Sequence, residues 1–192
     1  MNVFVRRGAN PNLFTTAGLF LNAASGAVFA TGHLRMGGVL FLLGGVLDTL
    51  DGRVARGTGR VTRFGALYDS TLDRYSEIFV FFGMMYYFLH SPHRWALAAI
   101  LLALGGSLMV SYVRARAEGL GFECKIGIMQ RAERVLVLGI GALVHEAALL
   151  IALVLVAVLA NVTAIQRLHY IWALENGSKN AGLPHGQNYN GD

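Results

Sequence analysis

Four aspartates, Asp48, Asp51, Asp69 and Asp73, sit among apolar neighbours, where each carboxylate costs roughly 2.5 to 3.5 kcal/mol at the centre of a bilayer. Asp48 and Asp51 are separated by one helical step of three, Asp69 and Asp73 by one of four, so each pair projects from a single helix face. Four carboxylates brought together repel one another and take up protons unless cations hold them. Hard divalent ions with oxygen ligands meet that need, and magnesium suits it best because it combines a few carboxylates with substrate phosphates. A second reading needs no metal: Arg56, Arg60, Arg63 and Arg74 neutralise the acids as ion pairs at a membrane edge.

The elements that carry these aspartates are membrane-like. Over 192 residues the chain is 55% hydrophobic and only 14% charged, with 24 glycines, a mix that suits helices packed closely in lipid rather than a soluble domain. Stretches long enough to approach a bilayer's thickness run over Leu13 to Thr31, Met36 to Arg56, Gly65 to His90, Arg94 to Gly119, Arg131 to His145 and Ala148 to Leu174. These predict an all-α integral membrane bundle of six transmembrane helices, one domain over residues 1–176, with a disordered polar tail over 177–192. The fifth stretch is short, and fusion of the last two into one kinked helix is the main competing topology. The short connection between the second and third makes them antiparallel neighbours, so the four carboxylates converge. Arginines and lysines concentrate before the first span, after the second, around the loop between the fourth and fifth, and at the end of the chain, whereas the opposite loops hold only Arg35 and Arg94. The positive-inside rule then puts the N- and C-termini and the aspartate end in the cytoplasm, in a multi-pass protein of the cell membrane. Phe4 and Val5 beside Arg6 and Arg7 suggest a short amphipathic piece on the membrane surface.

The complete spacing is Asp48-x2-Asp51-Gly52-x2-Ala55-Arg56-x8-Gly65-x3-Asp69-x3-Asp73. It resembles the signature of the CDP-alcohol phosphotransferase (CDP-alcohol phosphatidyltransferase) family at every fixed position. The resemblance implies a magnesium-dependent transferase of substituted phosphate groups, with two Mg2+ ions, replaceable by Mn2+, on Asp48, Asp51, Asp69 and Asp73. It implies that these ions grip the diphosphate of a CDP-linked lipid donor such as CDP-diacylglycerol, and that Asp73 is the catalytic base toward the acceptor hydroxyl. On the donor side it implies contacts from Asp51, Gly52, Ala55, Arg56 and Gly65, with Asn12 and Thr15 as a further nucleotide-contacting stretch. Helix packing explains a single glycine, and helix capping explains Asn12 and Thr15, about as well. Glu77 continues the Asp69 and Asp73 face by one turn, as a hydrogen-bond acceptor behind the ligands.

The signature does not choose the acceptor. Ser111 and Arg114 end the fourth span, Arg131 and Arg134 begin the fifth, and Arg167 interrupts the sixth, where a buried arginine needs an anionic partner. If these helices surround the aspartates, Ser111, Arg114, Arg134 and Arg167 form an anion pocket the size of a phosphate. That arrangement resembles the bacterial phosphatidylinositol-phosphate synthases of the family, which implies inositol 1-phosphate as acceptor and phosphatidylinositol phosphate and CMP as products. Glycerol 3-phosphate, the acceptor of phosphatidylglycerol-phosphate synthases, is the runner-up, and positive-inside bias alone accounts for Arg114 and Arg116 in a third reading. The resemblance and the glycine-rich helices also imply a homodimer.

Other classes fit less well. The net charge of +5 is scattered between apolar runs and forms no nucleic-acid reader. A cation-binding transporter predicts midplane charges and inverted repeats, and no repeat is evident. Cys124, the single cysteine, excludes an internal disulfide. No nucleophile motif accompanies the acids, so a covalent intermediate is not expected. The six histidines, His33, His90, His93, His145, His169 and His185, fall mostly at predicted helix ends without ligand spacing.

Overall fold

A computed structural model describes the backbone of residues 11–58 and 62–180 and the side chains of 12–49 and 62–177. Within these residues the chain is all-helical: α1 (Pro11–Ala30), α2 (Leu34–Thr58), α3 (Arg63–Leu89), α4 (Ala96–Gly119), α5 (Arg131–Val144) and α6 (Glu146–Asn180). Each expected stretch is a helix. The last two are separate, because His145 is extended at φ −168° and ψ 161° and breaks the rod. α6 runs to Asn180, past Leu174, where its apolar pattern ends. The amphipathic piece expected around Arg6 and Arg7 and the tail beyond Asn180 lie outside the described residues.

Among the described residues three helices are long and apolar enough to cross a membrane, over Asn12–Ala30, Ala96–Gly119 and Glu146–Gly177, as befits a membrane protein. In α2 and α3 the acids and arginines interrupt the apolar run. α5 has 14 residues, about 21 Å of helix against roughly 30 Å of hydrocarbon.

Packing closes the helices into a ring in the order α1, α2, α5, α6, α4, α3 and back to α1. α2 and α3 are therefore not the direct neighbours that their short connection suggests: among the described residues they touch little, and α1 lies against both. Missing side chains make this possible. A Cβ on Gly83 of α3 would run into the Gly26 carbonyl of α1, and one on Gly26 into the Phe79 carbonyl of α3. On the other flank of α1, a Cβ on Gly44 of α2 would meet Asn22 Oδ1, and Ser25 Oγ donates to the Gly37 carbonyl at 2.8 Å. Across the ring, Asn161 of α6 donates to the Leu102 carbonyl of α4 at 3.0 Å. Phe29, Val80, Met84, Phe88, Ile100, Leu138, Leu149 and Leu153 fill the interior with almost no exposed surface. In lipid such a ring is held by close packing and interhelical hydrogen bonds, since the surrounding tails are as apolar as the core.

Candidate active site

The charged end of the ring is built from helix termini. α3 starts at a capped turn in which Thr62 Oγ1 accepts from Gly65 N at 2.9 Å, satisfying one of the free amides of a helix start. From there Asp69, Asp73 and Glu77 follow at steps of four along one face. They meet the last turns of α4, the first turn of α5 and Arg167 of α6. Asp69, Asp73 and Glu77 share a single cleft of about 600 Å³ with Ser111, Arg114, Arg131, Arg134 and Arg167. All four residues expected to hold an acceptor phosphate thus face the cleft that holds two of the four aspartates.

The fate of each arginine differs from a simple basic lining. Arg131 reaches between two helices that make little contact with each other: Nη2 lies 2.6 Å from Asp48 Oδ2 on α2 and Nη1 lies 2.5 Å from Asp73 Oδ1 on α3. These contacts pair charge, yet Asp48 Oδ2, Asp73 Oδ1 and Arg131 Nε are buried without a hydrogen bond of proper direction. Arg134 is 2% exposed and is joined to Glu77, itself 5% exposed, at 2.5 Å from Nη2 to Oε1, with a second bond from Nη1 to the Met129 carbonyl at 3.3 Å. Its Nε lacks an acceptor. Arg167 was expected to need an anion, but it donates from Nε to the Ile126 carbonyl at 2.7 Å and from Nη1 to the Val110 carbonyl at 2.6 Å. The loop before α5 supplies the Ile126 carbonyl and α4 the Val110 carbonyl, and the loop is pinned to α6 because Met129 N donates to Thr163 Oγ1 at 3.1 Å. Gly127, at φ 133°, lets the loop pass over α6, where a Cβ would crowd Thr163 and Arg167. Arg114 is half exposed and pairs with Glu118 at 2.8 Å. On the outer side of the loop the Lys125 ammonium hydrogen-bonds Glu123 and holds its carboxyl below the ordinary carboxylate range.

The residues expected on the donor side are partly brought together. A Cβ on Gly65 would lie 2.9 Å from Thr62 Oγ1 and 3.6 Å from Asn12 Oδ1, so Asn12 approaches the start of α3 at its glycine. Thr15, 4% exposed, follows Asn12 by three residues on α1. Asp51, Gly52, Ala55 and Arg56 continue α2, but their side chains lie outside the described residues. Among the described residues no group of three His, Cys, Asp or Glu side chains is close enough to hold a metal ion. Asp48 and Asp73 meet around one guanidinium, and Asp69 lines the same cleft as Asp73.

Three features escape a reading of the chain alone. Gly18 lets α1 approach α2 at Asp48, for a Cβ there would lie 2.7 Å from Asp48 Oδ1. Thr16 Oγ1 shares a hydrogen bond with Tyr68 of α3 at 2.9 Å and donates to the Asn12 carbonyl at 2.7 Å, joining the two helices beside Asn12. Arg131 is the third, and its signal was available: it stands three residues before Arg134, one helical step on the same face.

Comparison with known proteins bears on the family and the fold. Residues 9–165 match the family model described as CDP-alcohol phosphatidyltransferase. The chain is 41% identical over 162 residues to an archaetidylinositol phosphate synthase of Methanothermobacter thermautotrophicus, covering 82% of this chain and 80% of that one. It superposes on the crystal structure of Mycobacterium tuberculosis phosphatidylinositol phosphate synthase with CDP-DAG bound, with a TM-score of 0.81 and 34% identity over 89% of this chain and 90% of that one. The same enzyme in complex with manganese and citrate gives a TM-score of 0.82 at 34% identity, covering 89% of this chain and 86% of that one.

Proposed function

Because the chain belongs to the CDP-alcohol phosphatidyltransferase family, we propose that it transfers the phosphatidyl group of CDP-diacylglycerol, or of a related CDP-linked lipid, to inositol 1-phosphate, releasing CMP. The observation that carries this reading is the shared cleft: Asp69 and Asp73 open onto the same space as Ser111, Arg114, Arg134 and Arg167. Both named relatives are synthases of an inositol phosphate lipid, and the M. tuberculosis structure holds CDP-DAG, which supports the donor and the acceptor alike.

The roles follow from the side chains. Asp48, Asp51, Asp69 and Asp73 hold two divalent ions, Mg2+ or Mn2+. Asp48 Oδ2 and Asp73 Oδ1, carried on two helices and converging on one positive group, support that fit. The manganese complex of the M. tuberculosis relative supports it as well. When bound, such ions neutralise the donor diphosphate and the charge on departing CMP. Asn12, Thr15, Gly65 and, on the far half of α2, Asp51, Gly52, Ala55 and Arg56 hold the CDP moiety. Asp73 takes the proton from the acceptor hydroxyl, whose oxygen forms a bond to the β-phosphorus as the bond to CMP breaks. Ser111, Arg114, Arg134 and Arg167 hold the acceptor's own phosphate. The hydrogen bonds described for Arg134 and Arg167 each engage two of a guanidinium's N–H donors, and a phosphate can take others.

In this reading all six helices are membrane-embedded, with the cleft and both termini at the cytoplasmic face of the cell membrane. Arg114, Arg116, Lys125, Arg131 and Arg134 on the cleft side, against Arg35 and Arg94 on the other, support that orientation. A homodimer belongs to the reading on resemblance, while the glycine argument for it weakens: Gly18, Gly26, Gly44, Gly83, Gly106 and Gly139 face contacts within the chain. The test is CMP release by purified protein from CDP-diacylglycerol and inositol 1-phosphate. Release that requires Mg2+ or Mn2+ and stops with a chelator is expected; absence of release with every CDP-linked lipid, ester or ether, overturns the reading.

A further inference from the structure

Arg131 stands at a boundary that the proposed chemistry leaves unexplained. Its guanidinium is wedged between Asp48 and Asp73 at 2.6 and 2.5 Å, yet it also lines the cleft beside Arg134, Ser111 and Arg167. A divalent ion placed between the two carboxylates would meet the guanidinium that occupies that position, and the two cations repel there. The approach of one therefore weakens the hold of the other. The arginine's route is short, since its side chain starts from the first turn of α5, which opens on the cleft.

We infer that Arg131 is a displaceable counter-cation: it holds Asp48 and Asp73 together before metal binds, and the arriving metal releases it into the cleft, where it completes the grip on the acceptor phosphate. The inference rests on the function proposed above. Three observations support it. Arg131 contacts α2 and α3, which otherwise make little contact among the described residues, so something must keep their carboxylates from repelling each other apart. The pairing is incompletely directed, with Arg131 Nε left without an acceptor and Asp73 Oδ1 met without a directed hydrogen bond, as suits a contact that is exchanged rather than permanent. Arg134, one helical step away, is in contrast locked to Glu77 and the Met129 carbonyl and is 2% exposed. Of the two arginines on this face, one is fixed and the other has a place to go.

The consequence is a coupling between two ligands. Metal makes Arg131 available to phosphate, and phosphate, by stabilising the released arginine, makes the carboxylates available to metal; the two factors must be equal. Metal and phosphate also attract directly, so the wild-type coupling alone decides nothing, and the side chain must be removed. The experiment measures Mn2+ binding by the electron paramagnetic resonance of free Mn2+, and inositol 1-phosphate binding by calorimetry, each with and without the other ligand and without CDP-lipid. In wild type, Mn2+ is expected to tighten inositol 1-phosphate about tenfold or more. In Arg131→Ala, Mn2+ alone binds several-fold more tightly than in wild type because its competitor is gone, and the coupling falls at least threefold. A residue that only braces the fold would weaken both ligands when removed. Mn2+ binding unchanged or weakened in the variant, or coupling that stays at the wild-type value, overturns the inference. If Arg131→Ala does not fold, Arg131→Lys serves, since one ammonium bridges two carboxylates poorly: tighter Mn2+ binding than wild type supports the exchange and equal or weaker binding overturns it. CMP release by the wild type is read separately, so failure of the proposed activity is distinct from failure of the exchange.

Discussion

The two ends of the helix ring handle charge in opposite ways. At the cleft end, buried or half-buried ions join elements distant in sequence: Arg131 ties α5 to α2 and α3, Glu77 ties α3 to Arg134 of α5, and Arg167 ties α6 to carbonyls of α4 and the loop before α5. At the other end, polar contacts are mostly local. Thr31 Oγ1 meets His33 Nδ1 at 3.0 Å, His90 Nδ1 meets the Tyr86 carbonyl at 2.9 Å, and Ser91 reaches across, to Glu146 at 3.3 Å. Both ends have room, since a hollow of about 380 Å³ lined by His33, Arg35, His145 and Glu146 opens at the second. What differs is that one end buries charge at a cost and the other leaves it near solvent. A fold tolerates buried charge where chemistry needs it.

Substitutions separate the ends in a definite order. Asp73→Asn should reduce turnover by about 10² to 10⁴-fold, the range for loss of a general base, while the protein still binds CDP-diacylglycerol; near-wild-type turnover would leave Asp73 without its role. Arg134→Ala strands the Glu77 carboxylate in the interior, at about 3 to 5 kcal/mol of stability. Thermal unfolding in detergent should show a large drop, and adding Glu77→Gln should restore much of the stability but not the acceptor affinity. If Glu77→Gln restores nothing, the pair is not the source of the loss.

The aspartates were legible in the chain because a helix repeats its face every three or four residues, and Asp48, Asp51, Asp69 and Asp73 obey that period. The six helices were legible from apolar runs between turn residues. The order of the ring was not, for it depends on backbone contacts such as Gly26 against Gly83, which no local pattern reports. Ser111, Arg114, Arg134 and Arg167 were recognised by residue type and order, and one cleft contains them. Their partners were not recognised, because the carbonyls that receive Arg167, Ile126 in a loop and Val110 on α4, are backbone groups placed by tertiary packing rather than by side-chain identity. Arg131 was passed over for a related reason: its bridge depends on the register of α5 against α2 and α3.

That account makes the glycine contact a sharper test of the fold than of the site. Gly83→Ala forces α1 and α3 apart and should cost about 1 to 3 kcal/mol, the usual range for overpacking, with the KM for acceptor little changed in the protein that folds. An unaltered melting temperature would mean that α1 does not press on α3 at that point. The smallest effect belongs to the far end, where His33→Ala and Arg35→Ala, both exposed, should each change stability by no more than about 0.5 kcal/mol and leave CMP release within about twofold. A large loss of activity there would erase the contrast between the ends.

The central claim, that acids and arginines share one cleft to join a CDP-linked lipid to a phosphorylated polyol, is tested most directly by kcat/KM for CMP release across acceptors. Purified protein with CDP-diacylglycerol and Mg2+ should turn over inositol 1-phosphate at least about a hundredfold better than free inositol, because the neutral alcohol offers no anion to the N–H donors that the cleft arginines have left over. It should also prefer inositol 1-phosphate to glycerol 3-phosphate. A preference for glycerol 3-phosphate would contradict the acceptor, and comparable rates with free inositol, serine or ethanolamine would contradict the phosphate pocket itself.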